Sequence, residues 1–394
     1  MANPDSRRLD GLQMLRFFAA FAVLLEHVMH EALSFGIAPD GLISRLEPVD
    51  FGVGVDVFFV ISGFIMLHIS ADQFGRRGAP RDFLLRRVAR LVPLYWLFTL
   101  AMLAAMLLVP GQLAHTALNP AHILASFGFV PWLDSTGLAH PILGLGWTLN
   151  YEMYFYALFA ISLLIWRSMA AVVCSVLITL ILLAIDLSGA THPSVTFYAR
   201  PIVFEFVFGV AAYYLVTWIT GYKASITKSS ATLWLLALVM AGAIAVLGIG
   251  EYQKGWGLPR EISAGVPAFF LVASAILIER LYRVVIDNKI VFLVGESSYI
   301  LYLVHPYVIY GILRTLVRHP ENLGALSTAA LILALLAIAS VVAVAIHLLF
   351  ERPVMDFLRR RFLKPRVKAR EDAILDSAPA VGGAYAGAPQ RSET

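Results

Sequence analysis

Leu15-Arg16-Phe17-Phe18-Ala19-Ala20-Phe21-Ala22-Val23-Leu24-Leu25-Glu26-His27-Val28 is apolar enough to lie in a lipid bilayer, yet it carries an arginine, a glutamate and a histidine. On insertion scales a charged side chain at the bilayer centre costs about 3 kcal/mol, so such groups face a partner or a wet cavity and mark function. At ~1.5 Å rise per residue the eleven steps from Arg16 to His27 span about 16 Å, roughly half the hydrocarbon thickness. Arg16 then lies near one membrane surface and His27 deep inside.

Composition extends this reading to the whole chain. Of 394 residues 59% are hydrophobic and only 14% charged, against about 25% charged in soluble domains, and the mean hydropathy is +0.78. Apolar stretches of spanning length begin near Leu12, Phe51, Leu91, Trp147, Met169, Pro201, Ala231, Ile262, Ser297 and Leu326. By the criterion of roughly twenty apolar residues per span they predict an all-α, polytopic membrane bundle of about ten helices. The apolar segment from Ala121 to Leu133 is too short to span and reads as a re-entrant or interfacial piece.

Alternating the loops from an inside N-terminus puts the cluster Arg76, Arg77, Arg81, Arg86, Arg87 and Arg90 in the cytoplasm. Arg167, Lys223, Lys228, Arg280, Arg283 and Lys289 fall on the same side. The long connection from Pro110 to Gly146 contains no Lys or Arg, as the positive-inside rule expects of an external loop. Both termini are expected in the cytoplasm of a bacterial-type inner membrane. Three regions follow: a short N-terminus (1–11), a transmembrane domain (12–352) and a tail (353–394) whose basic start contacts anionic lipid before a disordered polar end. The first apolar run is too long and too charged for a cleavable signal peptide. The single Cys174 lies in an apolar stretch and leaves no internal disulfide or Cys-based metal site.

Ionisable and polar residues recur at membrane depth in four further runs. Arg87 and Arg90 are three apart and share a helix face, where guanidinium forks near the depth of Arg16 suit a phosphorylated ligand arriving from the cytoplasm. Snorkelling anchors are the alternative for Arg86 and Arg90. Trp147-Thr148-Leu149-Asn150-Tyr151-Glu152 puts a carboxylate about a turn and a half below the outer surface, either in a structural ion pair or contacting a substrate hydroxyl or orienting a histidine. Gly52-Val53-Gly54-Val55-Asp56 opens another helix, with Asp56 near the outer side. In Ser297-Ser298-Tyr299-Ile300-Leu301-Tyr302-Leu303-Val304-His305-Pro306, Ser298, Tyr302 and His305 fall on adjoining turns of one face, and Pro306 frees a backbone carbonyl beside His305.

These runs together resemble the membrane acyltransferase type 3 family, particularly its exopolysaccharide O-acetyltransferase branch. The resemblance runs from about Leu12 to Phe350. It rests on Arg16-x10-His27, on Gly54-Val55-Asp56-Val57-Phe58-Phe59-Val60-Ile61-Ser62-Gly63-Phe64, on Arg87-x-x-Arg90, on Trp147-Thr148-Leu149 leading to Glu152, and on Ser298-Tyr299-x-x-Tyr302-Leu303-x-His305. It implies transfer of an acyl group, usually acetyl from cytoplasmic acetyl-CoA, to a hydroxyl of an extracytoplasmic or surface glycan. It also implies a catalytic His27 and an acyl-donor site at Arg16, Arg87 and Arg90. Thr148 stands where Ser is common, and the hydroxyl survives.

The residues support the same division of labour. A coenzyme A head group cannot enter hydrocarbon, but its thin pantetheine arm can reach inward. A sugar hydroxyl is a poor nucleophile that needs a base, and a neutral histidine serves. His27 is the candidate base, with Glu152 as its candidate partner; an acyl-His27 intermediate is the variant. Tyr302, Ser298 or Tyr151 are candidate oxyanion donors, and Asp56 and His305 candidate substrate contacts. No resident cofactor or metal is implied. The expected partners are acyl-CoA, a polysaccharide or lipid-linked glycan acceptor, membrane lipid and polysaccharide-assembly proteins, and not nucleic acid. A proton-coupled transporter or flippase of a glycan or small anion is the competing class, separated by its failure to consume the CoA thioester.

Overall fold

A computed structural model of the chain describes residues 9–37, 46, 49–108, 119–134, 137–221, 229–249, 257–284, 288–317 and 325–362. The N-terminal residues Arg7 and Arg8, the loop cations Arg45, Lys223, Lys228 and Lys254, and the tail after Phe362 lie outside the described residues.

The helices are α1 (Asp10–Ser34), α2 (Gly54–Ser70), α3 (Ala79–Leu108), α4 (Pro120–Phe127), α5 (Trp147–Ser162), α6 (Ala170–Leu187) and α7 (Phe204–Gly221). They continue as α8 (Ser230–Gly248), α9 (Val266–Tyr282), α10 (Lys289–Leu316), α11 (Ala325–Ile346) and α12 (Arg352–Phe362). Among the described residues there is no strand beyond an isolated bridge between Leu133 and Ala139. Among the described residues nine helical segments are long and apolar enough to cross a membrane, so the protein is a multi-pass helical bundle. The tenth expected span, α5, has 16 residues, which at ~1.5 Å each falls short of the roughly 30 Å hydrocarbon core. Its Tyr151, Phe155, Tyr156 and Phe159 are fully buried, so α5 is a core element of the bundle.

Helix α1 is the central element and packs against α2, α9, α10 and α11. Val23, Leu24 and Val28 are completely buried on it. Helices α2 and α7 cross with their backbones in contact, because Gly63 faces the Phe206 carbonyl and Gly209 faces the Val60 carbonyl, where any Cβ would collide. At the periphery α6 and α8 turn Val172, Val176, Leu180 and Leu183, and Trp234, Leu235 and Leu238, outward as lipid-facing surface. Helices α3 and α10 start well before the apolar runs at Leu91 and Ser297: the charged stretch 81–90 continues α3 as helix, and α10 already begins at Lys289 with residues 290–294 ahead of Glu296. The short apolar segment forms α4, begun by Asn119 accepting from the Ala121 amide at 2.9 Å and by Pro120 at the first helical position.

Candidate active site

Arg16, Arg87 and Arg90 converge on one cavity of about 110 Å³ toward the Asp10 end of α1. Ser62, Thr148, Glu152, Tyr156, Ser298 and Tyr302 share its wall. Arg16 and Arg87 are each only 8% exposed. The Arg87 guanidinium lies 5.6 Å from the Phe83 ring centroid and 5.7 Å from that of Tyr156, and its Nη2 is buried without a hydrogen-bond partner. Aromatic faces stabilise the cation but leave Nη2 unspent. With three guanidiniums and one carboxylate in its lining, the cavity attracts anions.

Glu152 lies with these arginines, not with His27. Its carboxylate accepts from Ser62 Oγ at 3.2 Å and, in a short contact, from the hydroxyl of Tyr156. The expectation of a carboxylate orienting the histidine is therefore corrected. The segment from Pro141 to Gly146 enters the bundle before α5 begins, with Gly146 pressed against Tyr95 and Pro141 where a Cβ would come within 2.8 Å of each. Glu152 is carried with α5 past the level of His27.

His27 lines two other cavities, of about 470 and 250 Å³, toward the Ser34 end. Its Nδ1 is 2.8 Å from the Val23 carbonyl, which can only accept, so the proton is on Nδ1 and Nε2 carries the lone pair. His305 repeats the device on α10: Nδ1 is 3.0 Å from the Leu301 carbonyl, while Nε2 is buried without a partner. The two imidazoles meet edge to face, with centroids 4.8 Å apart. An unprotonated Nε2 accepts, so His305 contributes an acceptor and not an oxyanion donor.

A polar belt separates the arginine cavity from the histidine cavities. Tyr302 donates its hydroxyl to the Leu145 carbonyl at 2.8 Å and lies 2.8 Å from Thr148 Oγ1. Tyr302 lines both the arginine cavity and the smaller histidine cavity. Ser298 Oγ, buried and without a partner, lies on the arginine side.

Two candidates lie elsewhere. Tyr151 donates to the Phe197 carbonyl at 2.7 Å and stacks on the Phe197 ring, away from all three cavities. Asp56 is wholly buried and spends both oxygens on Arg260, at 2.8 Å to Nε and 2.6 Å to Nη2. Arg260 escaped the sequence reading because 204 residues separate the pair. Tyr156 also escaped it, although its spacing of four from Glu152 put them on one helix face.

The family model described as "Acyltransferase domain" (acyltransferase 3) matches residues 9–349. The chain is 34% identical over 310 residues to the exopolysaccharide production protein ExoZ of Rhizobium meliloti (strain 1021), covering 78% of this chain and 90% of that protein. It is 26% identical over 413 residues to the acyltransferase MdmB of Streptomyces mycarofaciens, covering 95% and 98%. To the putative peptidoglycan O-acetyltransferase YrhL of Bacillus subtilis (strain 168) it is 30% identical over 169 residues, 40% of this chain and 24% of that one. No solved structure matches the chain. A helical bundle with an arginine cavity and a histidine meeting at a polar belt, matched by that model over nearly its whole length, belongs to the acyltransferase 3 family: the chain is a multi-pass membrane acyltransferase.

Proposed function

We propose that the protein is an O-acyltransferase that moves an acetyl group from cytoplasmic acetyl-CoA to a hydroxyl of an extracytoplasmic glycan. One observation carries the reading: Tyr302, bonded to Thr148, lines both the anion-attracting cavity and the smaller His27 cavity, so the two meet at this belt. The names of ExoZ and YrhL, an exopolysaccharide production protein and a putative peptidoglycan O-acetyltransferase, support a polysaccharide acceptor. The Asp10 end of α1 is then cytoplasmic. The segment from Pro141 to Gly146 and α5, whose end bonds to Gly75 after α2, together make the tenth crossing, so both termini lie on that side of the inner membrane, and residues 12–352 form the transmembrane acyltransferase domain.

In this mechanism Arg16, Arg87 and Arg90 bind phosphates of the donor, and the thioester reaches the belt. His27 Nε2 takes the proton of the acceptor hydroxyl as its oxygen forms a bond to the thioester carbonyl carbon. The oxyanion is met by the hydroxyl of Ser298, which has no partner at rest, or by that of Tyr302 once it leaves the Leu145 carbonyl. The carbon–sulfur bond then breaks, and the His27 imidazolium returns the proton to the departing thiolate, leaving ester and free thiol. His305 Nε2 accepts from the acceptor's hydroxyl or from protonated His27.

Thiol release from acetyl-CoA by purified protein in lipid, with a surface polysaccharide as acceptor, tests the reading. Loss of a general base costs ~10²–10⁴-fold, so His27→Ala is expected to lower turnover by about that factor while inserting normally. Release that persists in His27→Ala overturns the mechanism, and glycan movement without thioester loss makes the protein a transporter.

A further inference from the structure

The larger histidine cavity has a lining opposite in character to the arginine cavity. Glu31 and Asp134 are part of its wall, with His27, His140 and His305, and among the described residues no Lys or Arg lines it. Arg314 stacks 5.9 Å from the Phe35 and Tyr310 centroids, and Arg200 lies 6.0 Å from that of Phe197; neither lines the cavity. His140, in the hairpin loop outside the spans, is pushed below its ordinary pKa by burial and is uncharged at neutral pH.

Both carboxylates are held in place. Glu31 accepts from the Tyr310 hydroxyl at 2.8 Å and from Ser34 Oγ at 3.2 Å; Asp134 accepts from the Leu138 amide at 3.1 Å, with its other oxygen 3.6 Å from His140 Nδ1, and a carboxylate offers about four acceptor sites in all. The fixed partners at this wall are thus largely acceptors: two carboxylates and the unpaired His305 Nε2. A ligand that satisfies them must bring donors. Trp147 adds a broad apolar face at the junction with the smaller histidine cavity. The volume of about 470 Å³ lies in the range of small-molecule sites, about 300–1,000 Å³.

Building on the acyl-transfer reading, we propose that this cavity is the acceptor site and that Glu31 and Asp134 select an uncharged, hydroxyl-rich sugar while rejecting uronate-bearing glycans. Sugar hydroxyls donate to the two carboxylates and to His305, and the C–H face of the ring lies on Trp147. A uronate would bring a like charge beside them, with no cation among the described wall residues to receive it.

Equilibrium binding to the purified full-length protein in lipid tests this without any turnover. The probes are neutral gluco-, galacto- and manno-tetrasaccharides beside a tetragalacturonate. At least one neutral tetrasaccharide is expected to bind tenfold or more tighter than the uronate. The double variant Glu31→Gln, Asp134→Asn is expected to narrow that ratio at least threefold, with unchanged helical content. Equal or tighter uronate binding, no binding of any neutral sugar, or an unchanged ratio in the variant would overturn the proposal. Neutral-sugar binding without thioester consumption would leave this selectivity standing and overturn the acyltransfer reading instead.

Discussion

At the residue scale the site is built by using backbone carbonyls to fix side chains. Val23 and Leu301 each hold an imidazole Nδ1, so two Nε2 atoms are presented to the same cavity without a carboxylate partner for either. A base oriented by a carbonyl keeps its geometry without a carboxylate bonded to its ring, although Glu31 lies one turn away in the same wall. His305→Phe is expected to lower kcat more than it raises KM, because the ring volume survives and only the acceptor is lost; steady-state kinetics would check the split. Arg87 stands in the opposite condition, a cation with an unspent donor. A hydrogen bond to a charged group is worth ~1.5–3 kcal/mol, so Arg87→Gln is expected to raise KM for acetyl-CoA about ten- to a hundredfold with a smaller change in kcat. Glu152 balances that arginine cluster, so Glu152→Gln is expected to disturb donor binding, measured by CoA titration, more than base strength at His27. The depth of Arg16 and His27 was legible from helical rise alone. The pairing of His27 with His305 was not, because the two lie 278 positions apart in the chain and nothing local to either histidine records the other.

At the element scale the decisive feature is how far each helix enters the bundle. The glycine-rich turn before α5 goes in against Tyr95, which moves Glu152 from the histidines to the arginines. Hydropathy could not foresee this: an apolar run gives the length of a helix but not the depth at which it begins. The α2–α7 crossing was partly legible, since small residues in α2 announced close approach, but their partner in α7 was not. Gly63→Leu is expected to force these helices apart and lower the thermal midpoint in detergent by several degrees; an unchanged midpoint would show that the crossing relaxes freely. The Asp56–Arg260 pair ties α2 to the turn before α9. Arg260→Met leaves a buried carboxylate unpaired, a loss at the lower end of the roughly 3–5 kcal/mol seen for broken buried pairs, because the Arg260 side chain is 41% exposed. Adding Asp56→Asn to that variant should restore part of the loss in the same melting measurement.

At the scale of the whole molecule, composition alone disclosed the bundle, and the positive-inside bias gave its expected orientation. Cys174 is the only cysteine and is fully buried, so an introduced thiol can report sidedness. A Cys at exposed Lys289 is expected to react with an impermeant maleimide only from the cytoplasmic face, and one at exposed Ala121 only from the other; the reverse pattern would invert the topology. The belt at Tyr302 and Thr148 has a further consequence under the proposed reaction. As an acetyl group leaves the thioester for the far side, the hydroxyl proton travels back through His27 to the thiol, and every reactant and product keeps its charge. The exchange is electroneutral, so the membrane voltage has no hold on it. An uncompensated proton crossing the full membrane would gain about 2.3 kcal/mol per 100 mV, roughly fiftyfold in equilibrium. Proteoliposomes clamped at opposite potentials should therefore turn over at the same rate. A rate that follows the voltage would mean that the proton enters or leaves by a route other than His27.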